Sequence, residues 1–177
     1  MAEYYYLVSS LPYLKFGETP PVTPDKFISE CEKWLSESDM KALSDVSLYG
    51  HKIETPTIDV LEAWRDFDVD LREQLAKNRL GEKEKADAKG SEAIKEILEE
   101  PNPLLMEQRI ERTRWNFLED KRGFHFFDLG SLVLYFLKLK IQERLSTFHK
   151  DEGEKFFYNI CEVKHEEAER ENSRDQR

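Results

Sequence analysis

Three carboxylates set two apart, Asp66, Asp68 and Asp70, with Phe67 and Val69 between them, form a pattern that could do chemistry. Converging carboxylates hold metal ions or pass protons. On a helix, however, positions two apart spread around the axis, so this run reads as a solvated face. His165 has Glu162 and Glu169 at helical reach, but the four histidines are scattered, and a metal site needs several ligands held at fixed positions. Neither a metal nor a cofactor is expected. His125, between Phe124 and Phe126, reads as a packed or capping histidine, with proton transfer as the alternative. The glycines at 17, 50, 81, 90, 123, 130 and 153 are too widely spaced for a dinucleotide fingerprint or a P-loop. Cys31 and Cys161 sit in separate amphipathic segments and read as small core hydrophobes rather than a disulfide.

Binding chemistry is better represented. Arg112, Arg114 and Trp115 place two guanidinium groups beside an indole, which suits bidentate carboxylate contacts and stacking on rings. An internal bridge between helices is the favoured use, and a partner contact the alternative. Tyr4, Tyr5 and Tyr6 read first as core packing and second as an exposed docking patch, since consecutive aromatics cannot all face outward. Tyr135, Lys138, Lys140 and Arg144 lie where an apolar run turns basic, and they complete the candidate partner-binding set. An enzymatic alternative would use Glu62, Arg72, Arg114 and Trp115 across a cleft.

The elements that must position these groups are helices. The chain has 177 residues, 36% charged and 39% hydrophobic, with only seven Gly and seven Pro, too few for the frequent turns of a sandwich or barrel. The expected fold is all-α, a bundle of six to eight helices in one domain over 1–163, with a candidate lobe boundary at 78–90 and a charged, disordered tail at 164–177. The net charge of −10 would repel nucleic acid and anionic lipid. The longest apolar stretch, Leu129 to Leu137, falls far short of the roughly 20 residues that cross a bilayer. The opening residues lack the basic region and cleavage site of a signal peptide, so cytoplasmic residence is expected.

Tyr4 to Leu11 reads as a strand or a short buried helix, with helix slightly favoured. A proline-containing connector follows from Phe16. Thr23, Pro24 and Asp25 then cap and open a helix that buries Phe27, Ile28, Cys31, Trp34 and Leu35. Ser38 or Asp39 starts a second helix with Met40, Leu43 and Val46, ended by Gly50, and a loop spans His51 to Thr55. Pro56 and Thr57 open a long, central helix striped by Val60, Leu61, Trp64, Phe67, Leu71 and Leu75. A short helix over 91–100 precedes the Asn102 cap and Pro103, which launch a helix with Met106, Ile110, Thr113 and Phe117 on its apolar side. Asp128 caps the last long helix, which is buried in its first half and amphipathic beyond Lys138. A final helix from Glu152 carries Phe156, Phe157, Ile160 and Cys161.

At these residues the chain resembles a small bacterial family typically encoded among the subunits of V-type (V/A-type) ATP synthases. The resemblance rests on Tyr4 to Pro12 with Phe16 and Pro20-Pro21, on Phe27 with Cys31, and on Leu71-Arg72, Leu75-Ala76 and Arg79. It continues through Asn102-Pro103-Leu104 with Glu107, Arg114-Trp115 with Leu118, Phe127-Asp128, Tyr135 with Leu137 to Arg144, and Gly153 with Phe156. Such a gene context implies a stand-in for the connector subunit, C or d, which couples the central shaft to the membrane ring and is all-helical and non-catalytic. The resemblance therefore implies a helical, non-catalytic subunit, monomeric within the larger complex and peripheral to the membrane through it. Its partners would be subunits of the central stalk or membrane ring. A transient assembly or regulatory factor of the same complex is the alternative.

Overall fold

The computed structural model describes residues 4–49, 58–80, 94–148, 153, 155 and 157–160. The fold is all-α, with no strand among these residues. The helices are α1 (Tyr5–Ser10), α2 (Pro24–Cys31), α3 (Glu37–Ser44), α4 (Asp59–Arg79), α5 (Pro103–Arg122) and α6 (Leu129–Ser146), with a further helical segment at 94–98. Tyr4 to Leu11 is thus helical and not a strand. His51 to Thr55, Gly50, Pro56, Thr57, most of 78–90, Cys161, His165 and the tail from 164 lie outside the described residues.

Polar residues at the helix starts set the boundaries. The Thr23 hydroxyl accepts from the Lys26 amide, Asn102 accepts from Leu104, and Asp128 accepts from Ser131, each supplying an acceptor to an otherwise unpaired first-turn N–H. For α3 the cap is Ser36 rather than Ser38 or Asp39, because the Ser36 Oγ accepts from the Asp39 amide at 3.2 Å. The end of α2 is also earlier than its apolar pattern suggests. The Cys31 carbonyl accepts from both Trp34 and Leu35, the turn tightens, and Trp34 is left 55% exposed.

The long helix expected at the centre, α4, is not the central one. That place belongs to α6, which packs against α2, α3, α4 and α5. Ten of its residues are buried, among them Lys138 and Gln142, so burial runs further than expected, while Lys140 and Glu143 to Ser146 are half-buried. Gln142 is accommodated by its Nε2, which donates to the Lys15 carbonyl at 2.7 Å and the Glu18 carbonyl at 3.2 Å. Those bonds pin the connector to the core around Gly17, whose φ of +81° suits a residue without Cβ. On α5 the buried ridge is Ile110, Glu111, Arg114, Trp115 and Leu118, rotated from the expected Met106, Thr113 and Phe117, which are only half-buried. The rotation follows from α5 touching both α4 and α6, which leaves no single apolar face.

One apolar cluster joins α1, α2, α3, α4, α5 and α6 around Phe27, Leu43, Trp64, Leu118, Leu132 and Leu137. A smaller one gathers Leu71, Leu75, Ile94, Ile97 and Ile110, and Phe67 packs against both. Phe67 stacks on Phe117 with centroids 4.0 Å apart and the rings 10° from parallel.

The core also holds protons that alkali must remove. Burial pushes the Cys31 thiol from 9.0 up to about 12. Tyr4 and Tyr135 rise from 10.0 to about 12, chiefly by burial, with the Asp39 carboxylate adding to the effect on Tyr4. Each folded value exceeds the unfolded one, so the folded state holds more protons between pH 9 and 12, and stability falls as pH rises through that window. Lys138, whose ammonium burial pulls down against Glu119, acts in the opposite direction. Urea unfolding is expected to cost about 1–2 kcal/mol less at pH 10 than at pH 8, and Cys31→Ala should flatten that slope. An equal slope in the variant would assign the loss to other groups.

Candidate functional site

Two concave features collect part of the residues that sequence reasoning singled out, Tyr135 and Lys138 in one and Arg72, Arg114 and Arg144 in the other. The larger is a groove of about 380 Å³ between the segment after α1, the end of α5, the α5–α6 connection and the first turns of α6. Its floor is apolar, with Leu14 and Leu134 buried. Tyr13 and Phe126, which line the groove, are 66% and 67% exposed, and three further open rings, Tyr5, Tyr6 and Phe124, sit on α1 and on the α5–α6 connection. Tyr5 packs against Phe127 with centroids 4.7 Å apart, and the Tyr4 amide donates to the Phe127 carbonyl, so α1 and the α5–α6 connection form one surface.

The tyrosine triplet therefore splits. Tyr4 is buried and its hydroxyl donates to Asp39, whereas Tyr5 and Tyr6 face out. Tyr135 lines the groove, donates to the Pro12 carbonyl at 3.0 Å and stacks on Phe27. Lys138, also lining it, is 6% exposed, pairs with Glu119 at 2.8 Å and sits 5.4 Å from the Trp115 ring. Trp115 is itself buried against Phe16, whose ring carries the Arg112 guanidinium at 4.0 Å. Lys140 pairs with Glu143 one turn on. His125 bonds Asp128 at 2.7 Å and packs so tightly over Gly130 that a Cβ there would lie 2.4 Å from its Nδ1. His125 is thus packed, and the residue that caps α6 is its partner Asp128.

The second feature is a charge cluster where α4, α5 and α6 meet. Asp68, read as part of a solvated face, is fully buried, while Asp66 and Asp70 are exposed. Its Oδ1 accepts from Arg114 Nε at 3.0 Å and Nη2 at 2.7 Å, and Arg72 reaches Oδ2 at 2.7 Å. Arg114 also donates to Glu111 at 2.8 Å, so the internal helix bridge is the use the fold makes of it. Arg144 continues the chain of charges: it donates to the Tyr49 hydroxyl, to Glu107 at 3.0 Å, and lies 3.1 Å from Glu111. Burial pushes the Glu111 carboxyl up, against the pull of Arg114 and Arg144. Burial also opposes the Arg114 charge, but Glu111 and Asp68 together hold the guanidinium above its ordinary value. A cleft of about 240 Å³ opens beside this cluster.

Of the enzymatic set, Arg72 and Arg114 converge on Asp68. Glu62 is exposed and ten residues from Arg72, about 15 Å along the helix axis. Trp115 points into the other apolar cluster. The sequence did contain a signal for the missed carboxylate: Leu61, Trp64, Asp68, Leu71 and Leu75 follow one another at helical intervals of three and four, which sets Asp68 in the middle of the apolar stripe.

Among the described residues no three His, Cys, Asp or Glu side chains gather as they would around a metal ion, and no helix is long and apolar enough to cross a membrane. No curated protein and no solved structure matches the chain. Residues 84–168, the stretch holding α5 and α6 and with them Glu111, Arg114, Lys138 and Arg144, are similar to a family described as a protein of unknown function, DUF2764.

Proposed function

We propose that this chain is a non-catalytic helical subunit of a V/A-type ATP synthase, a connector-like component that holds neighbouring subunits through packed surfaces. The observation that carries a binding role is a set of exposed aromatic rings, Tyr13 and Phe126 lining an apolar groove and Tyr5, Tyr6 and Phe124 on the two segments that flank it. Aromatic side chains gathered on a surface mark interaction sites, because tyrosine and phenylalanine bring large contact area at little entropic cost. The charged constellations favour the same reading: Arg114, Lys138 and Arg144 are already paired with carboxylates of this chain. The ATP synthase assignment rests on the sequence resemblance, and cytoplasmic residence beside the membrane goes with it.

The test is to tag the protein in its native cell, extract the rotary complex gently and measure stoichiometry. A built-in subunit stays at a fixed ratio to the central stalk, whereas a transient assembly factor is lost on purification. Rotary complex that never contains the protein would overturn both readings. Tyr6→Asp combined with Phe126→Asp should abolish co-purification while leaving folding stability within about 0.5 kcal/mol, since both rings are largely exposed. Unchanged co-purification would move the docking face elsewhere.

A further inference from the structure

Four arginines, Arg72, Arg79, Arg114 and Arg144, line the 240 Å³ cleft beside Tyr49 and Glu107. They are brought together by α4, α5 and α6, three helices that the internal ion pairs hold in register. The carboxylates joined to them are Asp68, Glu107 and Glu111, one fewer than the guanidinium groups. Arg79 is exposed and, among the described residues, has no ion pair. Each guanidinium carries five N–H donors, and the bonds that Arg72, Arg114 and Arg144 make within the protein leave donors unused on each. A concave cleft with more guanidinium groups than carboxylates, three of the four held by ion pairs, is an arrangement that recognises phosphate through paired N–H donors.

We propose that this cleft binds a phosphate group, either free orthophosphate or a small phosphate monoester, with Arg79 and Arg72 at the open side and Arg144 at the inner wall. The volume is below the usual 300–1,000 Å³ of drug-sized ligand sites, which suits a small anion. The carboxylates play a structural part: they keep Arg114 and Arg144 in place before the anion arrives, so little ordering is lost on binding. The site is separate from the aromatic groove and does not depend on the partner assigned above.

The experiment is a thermal-unfolding titration of the full chain with sodium orthophosphate at pH 7.5, exchanged against sodium chloride at constant ionic strength. A saturable rise in the melting midpoint is expected, and Arg79→Ala should weaken the apparent affinity about tenfold, the effect of losing one charge-assisted hydrogen bond. Arg79→Ala should fold normally, because the side chain is exposed and has no ion pair among the described residues. Glycerol 3-phosphate distinguishes the source: tighter binding than orthophosphate identifies a monoester ligand, weaker binding the free ion. A rise proportional to concentration and equal in both proteins, the signature of general salting, would overturn the proposal, as would no difference from chloride.

Discussion

Asp68→Ala is expected to lower the free energy of unfolding by about 3 kcal/mol, read as a shift in the urea midpoint at unchanged slope. The wild-type side chain is fully buried and accepts two hydrogen bonds from Arg114, which is itself only 4% exposed. Removing the carboxylate leaves a buried guanidinium with one remaining carboxylate, Glu111, and that residual pairing keeps the cost at the lower end of the range for a broken buried ion pair. Asp68→Leu combined with Arg114→Met should recover part of the loss, since the two opposite charges leave together and Glu111 keeps Arg144 at 3.1 Å. The double-mutant cycle then gives the coupling between α4 and α5 directly. A cost below about 1 kcal/mol for Asp68→Ala would mean that water reaches the cluster.

The same cluster explains which parts of this protein were legible in its sequence. Helix starts were legible where the cap and the apolar register agreed, as at Thr23-Pro24, Asn102-Pro103 and Asp128, because capping is a local interaction completed within three residues. Ser36 was misplaced because Ser38 and Asp39 offer equally good local acceptors two and three residues on. Buried charges were not legible. Periodicity assigns a charged position to solvent, yet Asp68 and Arg114 neutralise one another across 46 residues, and Lys138 finds Glu119 on the neighbouring helix. Long-range pairing also rotated α5, whose Glu111 and Arg114 face inward only because partners wait on α4 and α6. The aromatic groove was half legible. Tyr4 to Tyr6 stood out at once, but the meeting of Tyr4 and Tyr5 with Phe127 depends on the chain returning after about 120 residues to the turn before α6.

That return makes α6 the frame against which the smaller helices are held, and Phe27→Ala should expose the dependence most sharply, at a cost of about 3–5 kcal/mol. α2 has eight residues, too few to persist as a helix without tertiary contacts. Its anchor is Phe27, 1% exposed, whose ring lies 5.2 Å from Tyr135 and 5.6 Å from Phe136, stacked on both. Truncation removes the ring and leaves a cavity that the surrounding helix cannot close. Cys31, one turn on in α2, reports the consequence. Its thiol is wholly buried and pushed up to about 12, so an aromatic disulfide reagent at pH 8 reaches it only when α2 opens. In a Cys161→Ser background, Phe27→Ala should raise the Cys31 labelling rate by at least about a hundredfold, the factor matching 3 kcal/mol of lost opening free energy. Phe27→Leu should recover most of both losses, because it refills much of the space. Destabilisation with unchanged labelling would show that α2 stays docked through Cys31 and Ile28, and that the ring stabilises the fold without controlling the opening of this helix.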